Sequence, residues 1–175
     1  MNRKTLLAAL LAICVSACCR MQDDVMVKPL EEDKTFMASA AYSNMYTIDA
    51  GNLSVEKGDD STVKIFGQLI SGTHRTVQQE LQDIADYFDF ILPATHDSFH
   101  ATQKELLGQL TRREFDSVFI LSQIRNHHEM IEVYEKRISA GETGLVSRHA
   151  QKYLPMIRQH LEDAENIKRQ IKISN

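Results

Sequence analysis

The stretch STVKIFGQLISGTHRTVQQELQDIADYF, residues 61–88, decides the fold. Val63, Phe66, Ile70, His74, Val77, Leu81, Ile84 and Phe88 recur at steps of three and four, which is the spacing of one face of an α-helix. His74 stands in the same row, so an imidazole occupies a core position of a long amphipathic helix. The neighbouring segments repeat the pattern. Ile120, Ile124, His127, Ile131, Tyr134 and Ile138 form a second row, and Tyr153, Met156, His160, Ala164, Ile167 and Ile171 a third. The earliest segment is less regular; Tyr42, Met45, Asp49 and Leu53 form its row, with Asp49 inside it.

Helix punctuation divides the chain. Thr35 caps a first helix running to about Lys57, with Gly58 as its stop. Asp59-Asp60-Ser61 opens the second, so the first two helices are joined by a short turn and lie antiparallel. Ile91-Leu92-Pro93 breaks the period, and a shorter helix over about 96–109 lies in the crossover that follows. Thr111-Arg112-Arg113-Glu114 reads as a capping box for the third long helix. Gly141 and Gly144 mark the next turn, and a last helix over about 145–171 carries Pro155, which is expected to kink it. Four long helices with a long connection between the second and third predict an all-α, ferritin-like antiparallel four-helix bundle. The expected organisation is a leader over 1–17, a tether over 18–34, the bundle over 35–171 and a tail over 172–175.

The start of the chain is an address. Arg3-Lys4, an apolar run from Leu6 to Val15 and Val15-Ser16-Ala17-Cys18 have the shape of a bacterial lipoprotein signal, cleaved before Cys18. The run is too short for a membrane-spanning helix, which needs roughly 20 apolar residues. Acylation of Cys18, palmitate included, would anchor the mature chain in the envelope. Cys19 rather than Asp at the next position points to the outer membrane, with the protein facing the periplasm. The cysteines are Cys14, Cys18 and Cys19 only. The bundle therefore has no disulfide, zinc–thiolate or cysteine nucleophile. Loss of Arg3 and Lys4 with the leader would take the net charge from −4 to about −6. With no basic stripe, nucleic acid is excluded as an expected partner, and acyl chains rather than charge must hold the membrane.

Asp49, His74, His127 and His160 each fall near the middle of their helices and can share one layer. Imidazole and carboxylate suit zinc, copper, iron or manganese, and three His with one Asp make a mononuclear shell. A di-iron site would need Glu three residues before its histidines; Ser71, Ile124 and Ile157 stand there instead. A layer bonded only within itself, fixing helix register, is the alternative. His96 and His100 are spaced to chelate an ion on the crossover helix, His128 pairs with Glu132 on a solvated face, and His149 caps the core near a bundle end.

Phe36-Ala40-Ala41, Val63-Lys64-Ile65-Phe66-Gly67-Gln68, His74, Glu114-Phe115-Asp116, His127 and Leu154-Pro155 through His160-Leu161 resemble, in order and spacing, a bacterial envelope family. It is domain-of-unknown-function family 4142, and the resemblance covers about residues 35–167. It implies a ferritin-like bundle and no assigned reaction. Members often carry Asp where Thr73 and Asn126 stand, and Glu where Asp49 stands. Fewer carboxylates disfavour a hard metal. The expected protein is a lipid-anchored, non-enzymatic envelope protein with a transition-metal layer and an unknown protein partner. Its rivals are a metal-dependent oxidoreductase and an interaction module with a metal-free core.

Overall fold

The computed structural model describes residues 28–141 and 143–172. Among these, all regular structure is helical: α1 (Glu31–Lys57), α2 (Ser61–Tyr87), α3 (Ser98–Gln109), α4 (Arg112–Ser139) and α5 (Leu145–Gln170). The leader and Cys18 lie outside the described residues.

The four long helices close a square. α1 packs on α2 and α4, and α5 packs on α4 and α2, while α3 lies against α1 and α4. Two buried carboxylates show the directions. Asp116, near the start of α4, accepts from the amides of Asp59 (3.0 Å) and Asp60 (2.8 Å) at the α1–α2 turn. Helices α2 and α4 therefore start at the same end, as the long crossover predicts. At the other end Asp33, in the first turn of α1, pairs with Arg137, in the last turn of α4, through Nε (2.7 Å) and Nη2 (2.6 Å). Neighbouring helices thus run antiparallel, an arrangement compatible with a ferritin-like bundle.

Side-chain size lets α1 and α2 touch backbones. A Cβ added at Gly67 would lie 1.7 Å from Ser54 Oγ, and one added at Gly51 would lie 2.5 Å from the Gly67 carbonyl oxygen. Only glycine fits such a crossing. Much of the buried face of α1 is small or polar: Ala40, Ala41, Ser43, Asn44, Thr47, Ala50, Gly51 and Ser54.

Two local expectations need correction. First, α1 begins at Glu31 rather than Thr35. Glu31, Glu32 and Asp33 place negative charge where the helix dipole favours it, so this part of the expected tether is the first turn of the bundle. Thr35 is not the cap; its hydroxyl donates back to the Glu31 carbonyl. Second, Thr111 precedes α4 without a side-chain cap bond, so the capping box is not formed, and Arg112 takes a positive φ of 56°. Gly58 ends α1 as expected, at φ −64°. Its lack of a Cβ leaves room for Asp116, whose Oδ1 would lie 3.0 Å from one.

The core is two apolar clusters. One gathers Phe36, Met37, Val77, Leu81, Met130, Tyr134 and Ile157. The other gathers Tyr46, Val63, Phe66, Ile70, Phe119, Ile120 and Ile167. Every long helix passes from one cluster to the other, and at the crossing it carries a polar residue: Asn44, His74, His127 or His160. A polar layer divides the bundle at mid-height.

Candidate metal centre

Three of the four expected layer residues converge. His74, His127 and His160 each present one ring nitrogen, and these nitrogens lie within 4.8 Å of one another. Ring centroids are separated by 5.4 Å, 5.4 Å and 5.6 Å. All three residues are buried, His74 and His127 completely.

Hydrogen bonds set each tautomer. His74 Nδ1 lies 2.8 Å from Asn44 Oδ1, and Asn44 Nδ2 donates to Gln78 Oε1. A carbonyl only accepts, so His74 carries its proton on Nδ1 and turns a lone pair outward on Nε2. His127 Nδ1 lies 2.8 Å from the main-chain carbonyl of Gln123, one turn back, with the same result. Thr73 donates its hydroxyl proton to main-chain carbonyls of Leu69 and Ile70. Its oxygen, 3.5 Å from His160 Nε2, is left to accept, which puts the His160 lone pair on Nδ1. His74 Nε2, His127 Nε2 and His160 Nδ1 are buried without a protein hydrogen-bond partner, as are ring nitrogens of His96, His100 and His149, but only these three converge. A buried lone pair left unused costs free energy, about 1–3 kcal/mol for each. Here three share one place.

Electrostatics keep the layer neutral. Burial, and then the mutual repulsion of the rings, hold His74 well below the ordinary imidazole range. Burial lowers His127 to about 3 and His160 to about 4, with Asp163 opposing the shift at His160. Neutral imidazoles with the distal N–H held by a second group are the state in which histidine ligates metals. An ion at ~2.0–2.1 Å from each donor sets neighbouring nitrogens roughly 3.3 Å apart, so binding would draw the rings inward.

Asp49 is not in the layer. Its carboxylate lies half-buried at the bundle edge, accepting from Lys104 Nζ at 2.6 Å and meeting His96 Nε2 at 3.0 Å. Desolvation raises its pKa, but Lys104 and His96 outweigh that and leave it lowered. The residue of α1 that reaches the layer is Asn44, five positions earlier, which sequence reasoning missed. A stripe of small residues from Ala40 through Asn44 and Thr47 to Gly51 marks the buried face, and it was the available signal.

The other histidines have separate roles. His96 precedes α3 and ties the crossover to Asp49. His100 is buried, not on the helix surface, with Nδ1 2.9 Å from Asp97, the cap of α3. His128 is exposed and faces Glu165 of α5 at 3.9 Å, rather than Glu132. His149 lies in the core at the end of the bundle where α5 begins, among Phe36, Tyr134 and Tyr153. Burial lowers it to about 4 despite Glu80 at 3.7 Å.

Comparison with known proteins adds the lineage. Two of the solved structures similar to this chain show a likeness of fold. A DUF305 fragment from Deinococcus radiodurans aligns with a TM-score of 0.73 at 13% identity, covering 82% of this chain and 99% of that one. A DUF305 protein from Streptomyces coelicolor, named as an inferred secreted protein, aligns at 0.71 with 10% identity, covering 82% and 94%. No curated protein matches the chain. The model of a domain of unknown function, DUF4142, matches residues 21–167, which takes in all three layer histidines and most of every helix, and the chain belongs to that family.

Proposed function

We propose that this protein is a lipid-anchored envelope protein that holds one transition-metal ion in the mid-height layer of its bundle. The convergence of three unpartnered lone pairs, on His74 Nε2, His127 Nε2 and His160 Nδ1, carries the metal reading. A layer built only to fix helix register would close its bonds within itself; these rings spend one nitrogen each on Asn44, Gln123 and Thr73 and leave the other open. The role is binding rather than catalysis: the cluster supplies ligands, and among the described residues neither a nucleophile nor a carboxylate pair joins it.

The envelope reading rests on the leader and on Val15-Ser16-Ala17-Cys18. It is supported by the inferred secretion of the Streptomyces relative in fold. Among the described residues no helix is long and apolar enough to cross a membrane, so attachment falls to acyl chains on Cys18. Labelled palmitate should enter the wild-type protein and not Cys18→Ala, and fractionation should find the label in the outer membrane.

The metal reading is tested by metal content after purification from envelope membranes without chelators. About one equivalent of one metal, lost in each of His74→Ala, His127→Ala and His160→Ala, is the expected result. A metal-free wild type that takes up no added ion would make the layer structural and turn attention to the helix surfaces.

A further inference from the structure

The charge of the layer points to the kind of ion. Each donor is a neutral imidazole, and among the described residues no Asp, Glu or Cys joins the cluster. The groups behind the donors are neutral as well: the Asn44 amide, the Gln123 main-chain carbonyl and the Thr73 hydroxyl. Asp49 is held at the edge by Lys104 and His96. Asp163, the carboxylate whose field reaches His160, accepts from Gln159 and contributes no atom to the cluster. An ion here keeps its whole charge, in a layer that is 0–4% exposed. The cost of burying an ion rises with the square of its charge, so a divalent ion meets about four times the penalty of a monovalent one.

On the reading of the layer as a metal centre, we infer that His74, His127 and His160 form a three-coordinate site selective for monovalent copper over divalent ions. Cuprous copper is a closed-shell ion that accepts three ligands without a fourth, and its single charge suits a neutral shell. Binding is simple ligation: three lone pairs are donated and no bond in the protein is broken.

Two competitions on the full chain in detergent test the inference. Cuprous copper is measured anaerobically against bicinchoninate, and zinc against a chromophoric chelator. One cuprous ion should bind per chain, with zinc at least about a hundredfold weaker. Two variants sharpen the result. Asn44→Asp puts a carboxylate behind His74 and should narrow the gap by about tenfold or more in favour of zinc. His160→Met replaces an imidazole by a softer thioether and should keep cuprous copper while losing zinc. Zinc binding as tightly as cuprous copper would overturn the inference and leave the metal reading standing. Binding of neither ion by the wild type would overturn both.

Discussion

Two sets of buried polar groups, the carboxylates near the ends of the bundle and the histidine layer at mid-height, differ in how they are used. At the ends, Asp116 receives two backbone amides and Asp33 meets Arg137 through two nitrogens. At mid-height, His74, His127 and His160 each keep one nitrogen with no protein partner. The ends use polarity to join helices: Asp116 locks the α1–α2 turn to α4, and Asp33–Arg137 locks α1 to the far end of α4. The middle leaves polarity unspent. Buried polar groups that are partnered join the helices; those that are open and convergent carry the proposed ligand site.

Acid should break this contrast with the largest effect. His74, His127, His149 and His160 all have folded-state pKa values below the ordinary 6.5, near 3 for His127 and near 4 for His149 and His160. The unfolded chain therefore binds more protons between about pH 4 and 6.5. Stability is fully present above about pH 6.5 and falls as pH drops through this window. Urea midpoints measured from pH 7 to 4.5 should fall steeply, and a flat profile would show that the rings are not neutral in the folded state.

Mutation at the ends comes next. Asp33→Ala takes the carboxylate from a buried guanidinium and should cost about 3 kcal/mol in chemical unfolding. Asp116→Ala leaves the Asp59 and Asp60 amides without their acceptor and should cost about 2 kcal/mol, with amide exchange accelerated at those two positions. The middle should respond least. His127→Leu removes an orphan lone pair together with its ring, so the metal-free protein should change by less than about 1 kcal/mol or gain stability. A loss as large as that of Asp33→Ala would mean that the layer stabilises the fold as the ends do.

These differences also mark what could be read from residues alone. On α2, α4 and α5 the layer histidines interrupt rows of large apolar side chains, so both helix face and depth were legible at His74, His127 and His160. On α1 the buried face is largely Ala, Ser, Asn, Thr and Gly, because the helix runs close to α2 at Gly51 and Gly67. Small residues carry little hydrophobic signal, and the row of Tyr42, Met45, Asp49 and Leu53 drew attention to a half-buried edge. Asp49 was misplaced and Asn44 overlooked for that one reason. The start of α1 was missed because a charged first turn looks like a tether until Arg137 is seen beside Asp33. The order of the helices and the long crossover, by contrast, follow from turn residues that stand plainly in the chain.

The central claim is that His74 Nε2, His127 Nε2 and His160 Nδ1 are ligand atoms awaiting one ion. Nitrogen-15 NMR of histidine-labelled protein reads each ring nitrogen directly as cuprous copper is added. The account predicts that these three resonances shift together and saturate at one equivalent, while His74 Nδ1 and His127 Nδ1 keep their protons. Shifts confined to His96, His128 or another ring outside the layer, with the layer unmoved, would contradict it.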